Sequence, residues 1–211
     1  MSVGVVFGPD LPGGPGAAAS EAGETLVRVP GETAAVRAAA VREMFGRGVD
    51  TLLLVERAIP VRPDWARSGA LFALVADHIN LTGENPLVGP NADEWGLRFP
   101  DLTDAWDPAL RRAIRERAVA AGIVLQEGVV SGVAGTTRTA AELEMLRMVG
   151  ADMASEGFVH EAITARHAGR RVAGLALLTM GTELPDEAET LDGLVREALA
   201  ALAGISGAAG E

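Results

Sequence analysis

Short β-branched apolar runs recur along this chain, and longer amphipathic stretches separate them. Val3–Phe7, Asp50–Val55 (DTLLLV), Ala70–Val75, Ile123–Val133 and Val172–Thr179 read as strands, most of them too short for buried helices. Thr25–Val29 reads as a further short strand, and another is expected near Asp152. Between them, Glu32–Arg47 spaces Val36, Ala40 and Phe45 along one helical face and is closed by Gly48. Asp107 is placed to cap a helix that has Pro108 at its first position and runs to about Ala121. Thr139-Ala-Ala-Glu142 fits a capping box opening a helix to Met148. Helices are also expected over Val159–His167 and Asp186–Ala203, with 204–211 a frayed tail. Such alternation predicts an α/β fold, a single domain over 1–211 with a largely parallel or mixed sheet.

Composition removes several kinds of chemistry. With no Cys, disulfides, thiolate nucleophiles and Cys-ligated metals are excluded. With no Lys, Schiff bases, pyridoxal phosphate attachment and a P-loop lysine are excluded as well. A net charge of −11 opposes nucleic acid and anionic lipid as partners. No apolar run reaches the ~20 residues of a membrane helix. The opening MSVGVVFGPDLPGG lacks the basic segment of a secretory signal, so the expectation is a soluble cytoplasmic protein.

Residues 77–106 form a long polar segment, and long loops in compact domains are usually functional or interfacial. All three asparagines, Asn80, Asn85 and Asn91, lie there with His78. Asparagine commonly satisfies loop backbone groups, and His78 is expected to bond locally in a structural role. His160 reads as an inert surface residue, and His167 as a cation near a helix end. Asp101, Asp104 and Asp107 are spaced like metal ligands, but the cap explains Asp107 better and no metal is expected.

GVDTLLLV (48–55), DHINLTGENPLVGPN (77–91), RFPDLTDAWD (98–107), LQEGVVSGVAG (125–135), TAAELEMLRMVGAD (139–152) and EAITARHAGRRVAGLALLT (161–179) occur in this order. Together they resemble the trimeric type of purine nucleoside phosphorylase over residues 48–180. The resemblance implies a mixed sheet curled into a partial barrel and flanked by helices, and a homotrimer. It implies cleavage of purine nucleosides, with phosphate as co-substrate and no other cofactor, to free base and sugar 1-phosphate. It also places the DHIN segment near a subunit interface rather than at the chemistry.

The chemical motifs of that family match poorly. A Gly-Ser-Gly-rich phosphate loop after the first strand corresponds to FGPDLPGGPG, which has no Ser and carries Asp10. A segment supplying Arg and His ahead of Tyr-Glu-Gly would fall in 17–31, where only Arg28 is present; most of the chain's shortfall against the family lies there. The Asn-Ala-Ala-Gly-Gly turn reads Glu56-Arg57-Ala58-Ile59-Pro60, keeping only Ala58. A purine-binding Glu ahead of TAAE is replaced by Arg138, which has no acceptor to offer. Gly-Met-Ser, whose Met packs on ribose and whose Ser binds phosphate, aligns with Ser155-Glu156-Gly157; Glu156 has the chemistry to accept ribose hydroxyls. The purine-binding Asn is Met180, and no His follows His167 to touch the sugar. Phe99 matches a Phe that reaches a neighbouring subunit's pocket in the family. The remnant pocket would comprise Arg57, Ala58, Phe99, Val130, Arg138, Glu156, Gly157 and Met180. Three readings stay open: a family member inactive or very weak on standard nucleosides; an enzyme taking a different nucleoside or anionic sugar through Arg57, Arg138 and Glu156; or a non-catalytic structural or regulatory trimer.

Overall fold

The computed structural model describes residues 2–8, 11, 25–28, 33–68, 70–135, 138–179 and 187–208. Strand β1 (Val3–Phe7) runs parallel between β2 (Thr25–Arg28) and β3 (Thr51–Pro60). On its other side β3 pairs in parallel with β7 (Arg171–Leu178). From β7 the order continues through β4 (Phe72–Asn80) and β5 (Leu125–Gly132) to β6 (Met153–Ser155). The last two residues of β3, Ile59 and Pro60, then pair with β6 and close a five-stranded ring. The mixed curled sheet expected from the resemblance is present, with β1 and β2 as an open extension.

Closure depends on β3 outrunning its apolar core. Expected to end at Val55, the strand carries on through Glu56 and Arg57 to Pro60. Pro60 has no N–H to donate and stands at the strand's final position, where that loss costs the ladder least.

Alternation along the strands sends side chains into two cores. Leu53 and Val55 on β3, with Leu175 and Leu177 on β7, meet Leu110 and Ile114 of helix α3 (Pro108–Ala120) and Leu194 of α6 (Glu187–Ala208). Leu52 and Leu54 instead meet Val41, Met44 and Phe45 of α1 (Ala34–Gly46), Trp65 of α2 (Pro63–Ser68) and Ala162 of α5 (Val159–His167). α4 (Ala140–Met148) carries the expected capping box, formed by Thr139 and Glu142.

Four local expectations are corrected. The buried face of α1 is Arg37, Ala38, Val41, Met44 and Phe45, whereas Val36 is 46% exposed. Arg37 displaces the expected apolar stripe because two carboxylates await it inside. Strand β4 does not stop at Val75 but runs through His78 to Asn80, with a register shift between Val75 and Asp77. The shift is a β-bulge, which lets the strand change face as it leaves the core. The last helix continues to Ala208 rather than ending at Ala203. Sequence periodicity also missed α2, a single short turn that buries Trp65.

Asp107 caps α3 as expected, accepting from the N–H groups of Ala109 at 2.9 Å and Leu110 at 3.0 Å. It also receives Arg171 Nε at 2.7 Å, which joins the helix start to β7. Burial pushes the Asp107 carboxyl pKa up, but the Arg171 bond and the cap N–H groups together hold it below the usual value. A depressed folded pKa means the contribution is complete above the unfolded value, near 3.9, and is lost as pH falls through the folded one. Asp107→Ala should therefore cost about 1–2 kcal/mol at pH 7 by chemical denaturation, and less at pH 3. An equal loss at both pH values would refute the charge contribution.

Candidate functional site

Glu56 follows Leu52 and Leu54 on the same face of β3, so strand alternation carries it inward beneath α1 and α5. It is 5% exposed. Arg37 lies on α1 one turn before Val41, on the face that also buries Met44. Glu161 lies in the first turn of α5, a helix with eight of its nine residues buried. The three side chains meet: Arg37 Nη1 donates to Glu56 Oε1 at 3.3 Å and to Glu161 Oε1. Burial works against the Arg37 charge, but Glu161 and then Glu56 outweigh it and hold its pKa above the ordinary arginine value. Glu161 Oε2 is buried and accepts no hydrogen bond among the described residues.

Two glycines shape the space around Glu56. A Cβ on Gly8, at the end of β1, would stand 2.8 Å from the Glu56 carboxyl carbon and closer still to one oxygen. A Cβ on Gly157, after β6, would stand 2.7 Å from Glu56 Cγ and closer still to the carboxyl carbon. A side chain at either position therefore requires the Glu56 carboxyl group to shift, since real Cβ contacts do not fall so short. Phe158 follows with φ of 77°, a costly conformation for an aromatic residue, and so turns the chain directly into α5.

The Asn-rich segment roofs this region. Glu84 Oε2 accepts from the Ala34 N–H at 2.6 Å, setting a carboxylate at the start of α1. Thr82 Oγ1 lies 3.0 Å from His160 Nε2 at the start of α5. Asn80, Asn85 and Asn91 bind loop backbone as expected, for example Asn80 Nδ2 to the Glu84 carbonyl at 2.9 Å. His78 is structural too, but its partner is distant: Trp106 Nε1 donates to His78 Nδ1 at 3.1 Å. Burial lowers the His78 pKa, which suits a neutral ring with its proton on Nε2. His160 is corrected from a surface residue to a buried one, 4% exposed; burial lowers its pKa, against the opposing charge of Glu161. His167 does stand in the last turn of α5, where it is 3% exposed and meets Asn91 Oδ1 at 3.2 Å. Asp101 accepts from the Thr103 N–H, and among the described residues no cluster of His, Asp and Glu could hold a metal ion.

The residues expected to form the pocket fall into several surroundings. Ala58 and Val130 are buried in the same core as Met153. Arg57, on the opposite face of β3 from Glu56, is half-buried, and its carbonyl accepts from Ser155 Oγ at 2.7 Å. Gly157 is buried against Glu56. Arg138 donates to the Ala134 carbonyl at 3.0 Å, while Glu156 is exposed. Phe99 is 85% exposed, with the Arg98 guanidinium 5.7 Å from its ring centre. Met180, Asp10 and nearly all of 17–31 lie outside the described residues, which there include only the strand backbone ending at Arg28. Sequence reasoning missed Arg37 and Glu161 and left Glu56 as a mere mismatch. A charge interrupting the buried run TLLLVERA was the available signal.

A profile of the Phosphorylase superfamily matches residues 29–208. The chain belongs to that superfamily. Within it, the chain sits with the purine nucleoside phosphorylases. It is 39% identical over 140 residues to purine nucleoside phosphorylase 1 of Bacillus subtilis (strain 168), covering 66% of this chain and 51% of that one. To purine nucleoside phosphorylase 1 of Geobacillus stearothermophilus it is 34% identical over 157 residues, covering 74% and 57%. To the Rattus norvegicus purine nucleoside phosphorylase it is 41% identical over 145 residues, covering 66% and 50%. The chain thus spans about half the length of the curated relatives it matches. A purine nucleoside phosphorylase crystallised with ribose-1-phosphate shares the fold at a TM-score of 0.79, with 23% identity over 94% of this chain and 89% of the other. The Schistosoma mansoni enzyme in complex with acetate gives 0.78, at 24% identity over 94% and 89%. No helix among the described residues is long and apolar enough to cross a membrane.

Proposed function

We propose that this superfamily member retains the nucleoside phosphorylase scaffold but is inactive, or very weak, in phosphorolysis of standard purine nucleosides. The family reaction joins a purine nucleoside and phosphate to give free base and sugar 1-phosphate. One observation carries the reading: the position that the resemblance assigns to a neutral Asn holds Glu56, buried and paired with Arg37. A fixed negative charge there opposes an incoming phosphate. Gly157, at the position of the phosphate-binding Ser, offers no hydroxyl in its place. Arg138 in place of the purine-binding Glu points the same way, since its guanidinium is donor-only.

A use of Arg57, Arg138 and Glu156 on some other anionic sugar has less support, because Arg138 is tied to its own loop and Glu156 is exposed. The proposed assembly is a cytoplasmic homotrimer. The exposed Val88, Leu97 and Phe99 on one loop support an interface there.

The test follows free base release from inosine or guanosine with phosphate. We expect release at least 10³-fold below the 1–10³ s⁻¹ range in which enzymes ordinarily turn over, as an order of magnitude. Turnover at ordinary rates would overturn the proposal.

A further inference from the structure

The first turns of α1 and α5 meet through Arg37 and Glu161, and one short turn of the chain is fastened to both. That turn, residues 81–84, leaves the end of β4, where the Leu81 N–H donates to the Gly132 carbonyl at 2.9 Å. Gly83 supplies a φ of 78°, a conformation that glycine adopts without strain. On one side Glu84 Oε2 accepts from the Ala34 N–H of α1 at 2.6 Å. On the other, Thr82 Oγ1 lies 3.0 Å from His160 Nε2 of α5. The Thr82 methyl has a seat over Gly132, where a Cβ would come within 3.2 Å of it and 2.6 Å of Val159 Cγ2. We propose that the 81–84 turn is an acid-released latch: a neutral His160 holds Thr82 against α5 while Glu84 holds α1, and protonation of His160 favours the state in which the turn has let go.

The bonds around Thr82 fix the proton on the imidazole. Asn80 Nδ2 donates to the Glu84 carbonyl, so Asn80 Oδ1 is the acceptor that faces Thr82. The single Thr82 hydroxyl proton goes to that oxygen at 2.7 Å or to the Glu84 carbonyl at 3.1 Å. In either case Thr82 Oγ1 accepts from His160, whose proton is therefore on Nε2. His160 Nδ1 is the bare nitrogen, buried and without a hydrogen-bond partner among the described residues. A second proton has to go there, where it adds a charge and an N–H with nothing to receive it. Three charged residues face the ring. Glu161 and Glu84, the latter through its backbone as well, favour the proton, and Arg37 opposes it. Burial outweighs the carboxylates and holds the His160 pKa below its ordinary value. Once the turn has let go and water reaches the ring, the ordinary value near 6.5 applies. The latch is thus complete above about pH 6.5 and is lost as pH falls toward the His160 value of the closed state. Over that range its opening constant rises by up to about tenfold per pH unit.

The test is amide hydrogen exchange of the native protein between pH 8 and pH 5.5, corrected for the intrinsic pH dependence of exchange and read at Ala34, Thr82 and Glu84. Protection of these three amides should be constant above pH 6.5 and fall by up to about tenfold by pH 5.5. Amides of β7 should show no such step. His160→Gln keeps an N–H for Thr82 but cannot titrate, so its protection should be the same at both ends of the range. His78→Gln, which removes the other buried histidine of this region, should keep the step. Glu84→Gln should lower protection at Ala34 at every pH and keep the step too. The proposal is overturned by native protection that does not change with pH, by a step that survives in His160→Gln or disappears in His78→Gln, or by an equal step in β7, which would be acid unfolding of the whole chain. Should His160→Gln not fold, Thr82→Val keeps the methyl on its seat and removes the acceptor. Its three amides should be weakly protected throughout, and a step as large as the native one would overturn the proposal.

Discussion

Replacing Arg37 by Met should destabilise the protein by roughly 3–5 kcal/mol, the cost of leaving a buried ion network without one of its charges. Glu56 and Glu161, 5% and 1% exposed, would then both lose the guanidinium that donates to them. Thermal denaturation should show a Tm lower by about 10 °C, given a few degrees per kcal/mol for a chain of this size. The loss should also depend on pH. An unpaired buried carboxylate has a raised folded pKa, so its penalty is small below the unfolded value near 4.3 and grows as pH rises through the folded one. Arg37→Met should accordingly be closer to the native protein at pH 5 than at pH 8. The variant Arg37→Met/Glu56→Gln/Glu161→Gln, which carries no charge at the three positions, should recover part of the loss. A single substitution costing under 1 kcal/mol at pH 8 would mean that water, not Glu56 and Glu161, balances Arg37.

Trp106→Ala should cost a comparable 3–5 kcal/mol, for a different reason. The indole is 1% exposed and packs edge-to-face on Phe158, with ring centres 6.0 Å apart. It occupies the space over Gly174, where a Cβ would come within 2.7 Å of the ring. Its N–H is the donor to His78 Nδ1. Truncation empties a volume bounded by β4, β7 and the turn into α5, and strands the imidazole acceptor. Trp106→Phe keeps most of the packing and loses the donor, so it should cost about 1–3 kcal/mol. Urea denaturation of the two variants separates the contributions; equal losses would assign everything to the hydrogen bond.

Much of the scaffold can be read in the sequence because its signals are local. Asp107-Pro108 and Thr139–Glu142 fix helix starts through their own side chains, and both caps are found. Val159–His167 is a helix with the expected bounds. What could not be read depends on distant encounters. Periodicity puts Arg37 outside, since a charge on a helix is ordinarily solvated; Glu56 and Glu161, 19 and 124 residues away, make the inside tolerable. His160 and His78 are buried by partners 78 and 28 residues distant. The candidate site repeats the pattern. Matching motifs one by one registers what Glu56 is not, whereas only the fold shows that it is buried beside two glycines and paired with Arg37.

That contact also constrains the order in which this chain can change. A side chain at Gly8 or Gly157 would meet Glu56 unless its carboxyl group moved aside. A side chain at either glycine is thus easier to accept once Glu56 has shrunk, and that step taken alone removes one of the carboxylates that Arg37 pairs with. Three separated stretches of the chain therefore change most readily in a set order, residue 56 before residues 8 and 157.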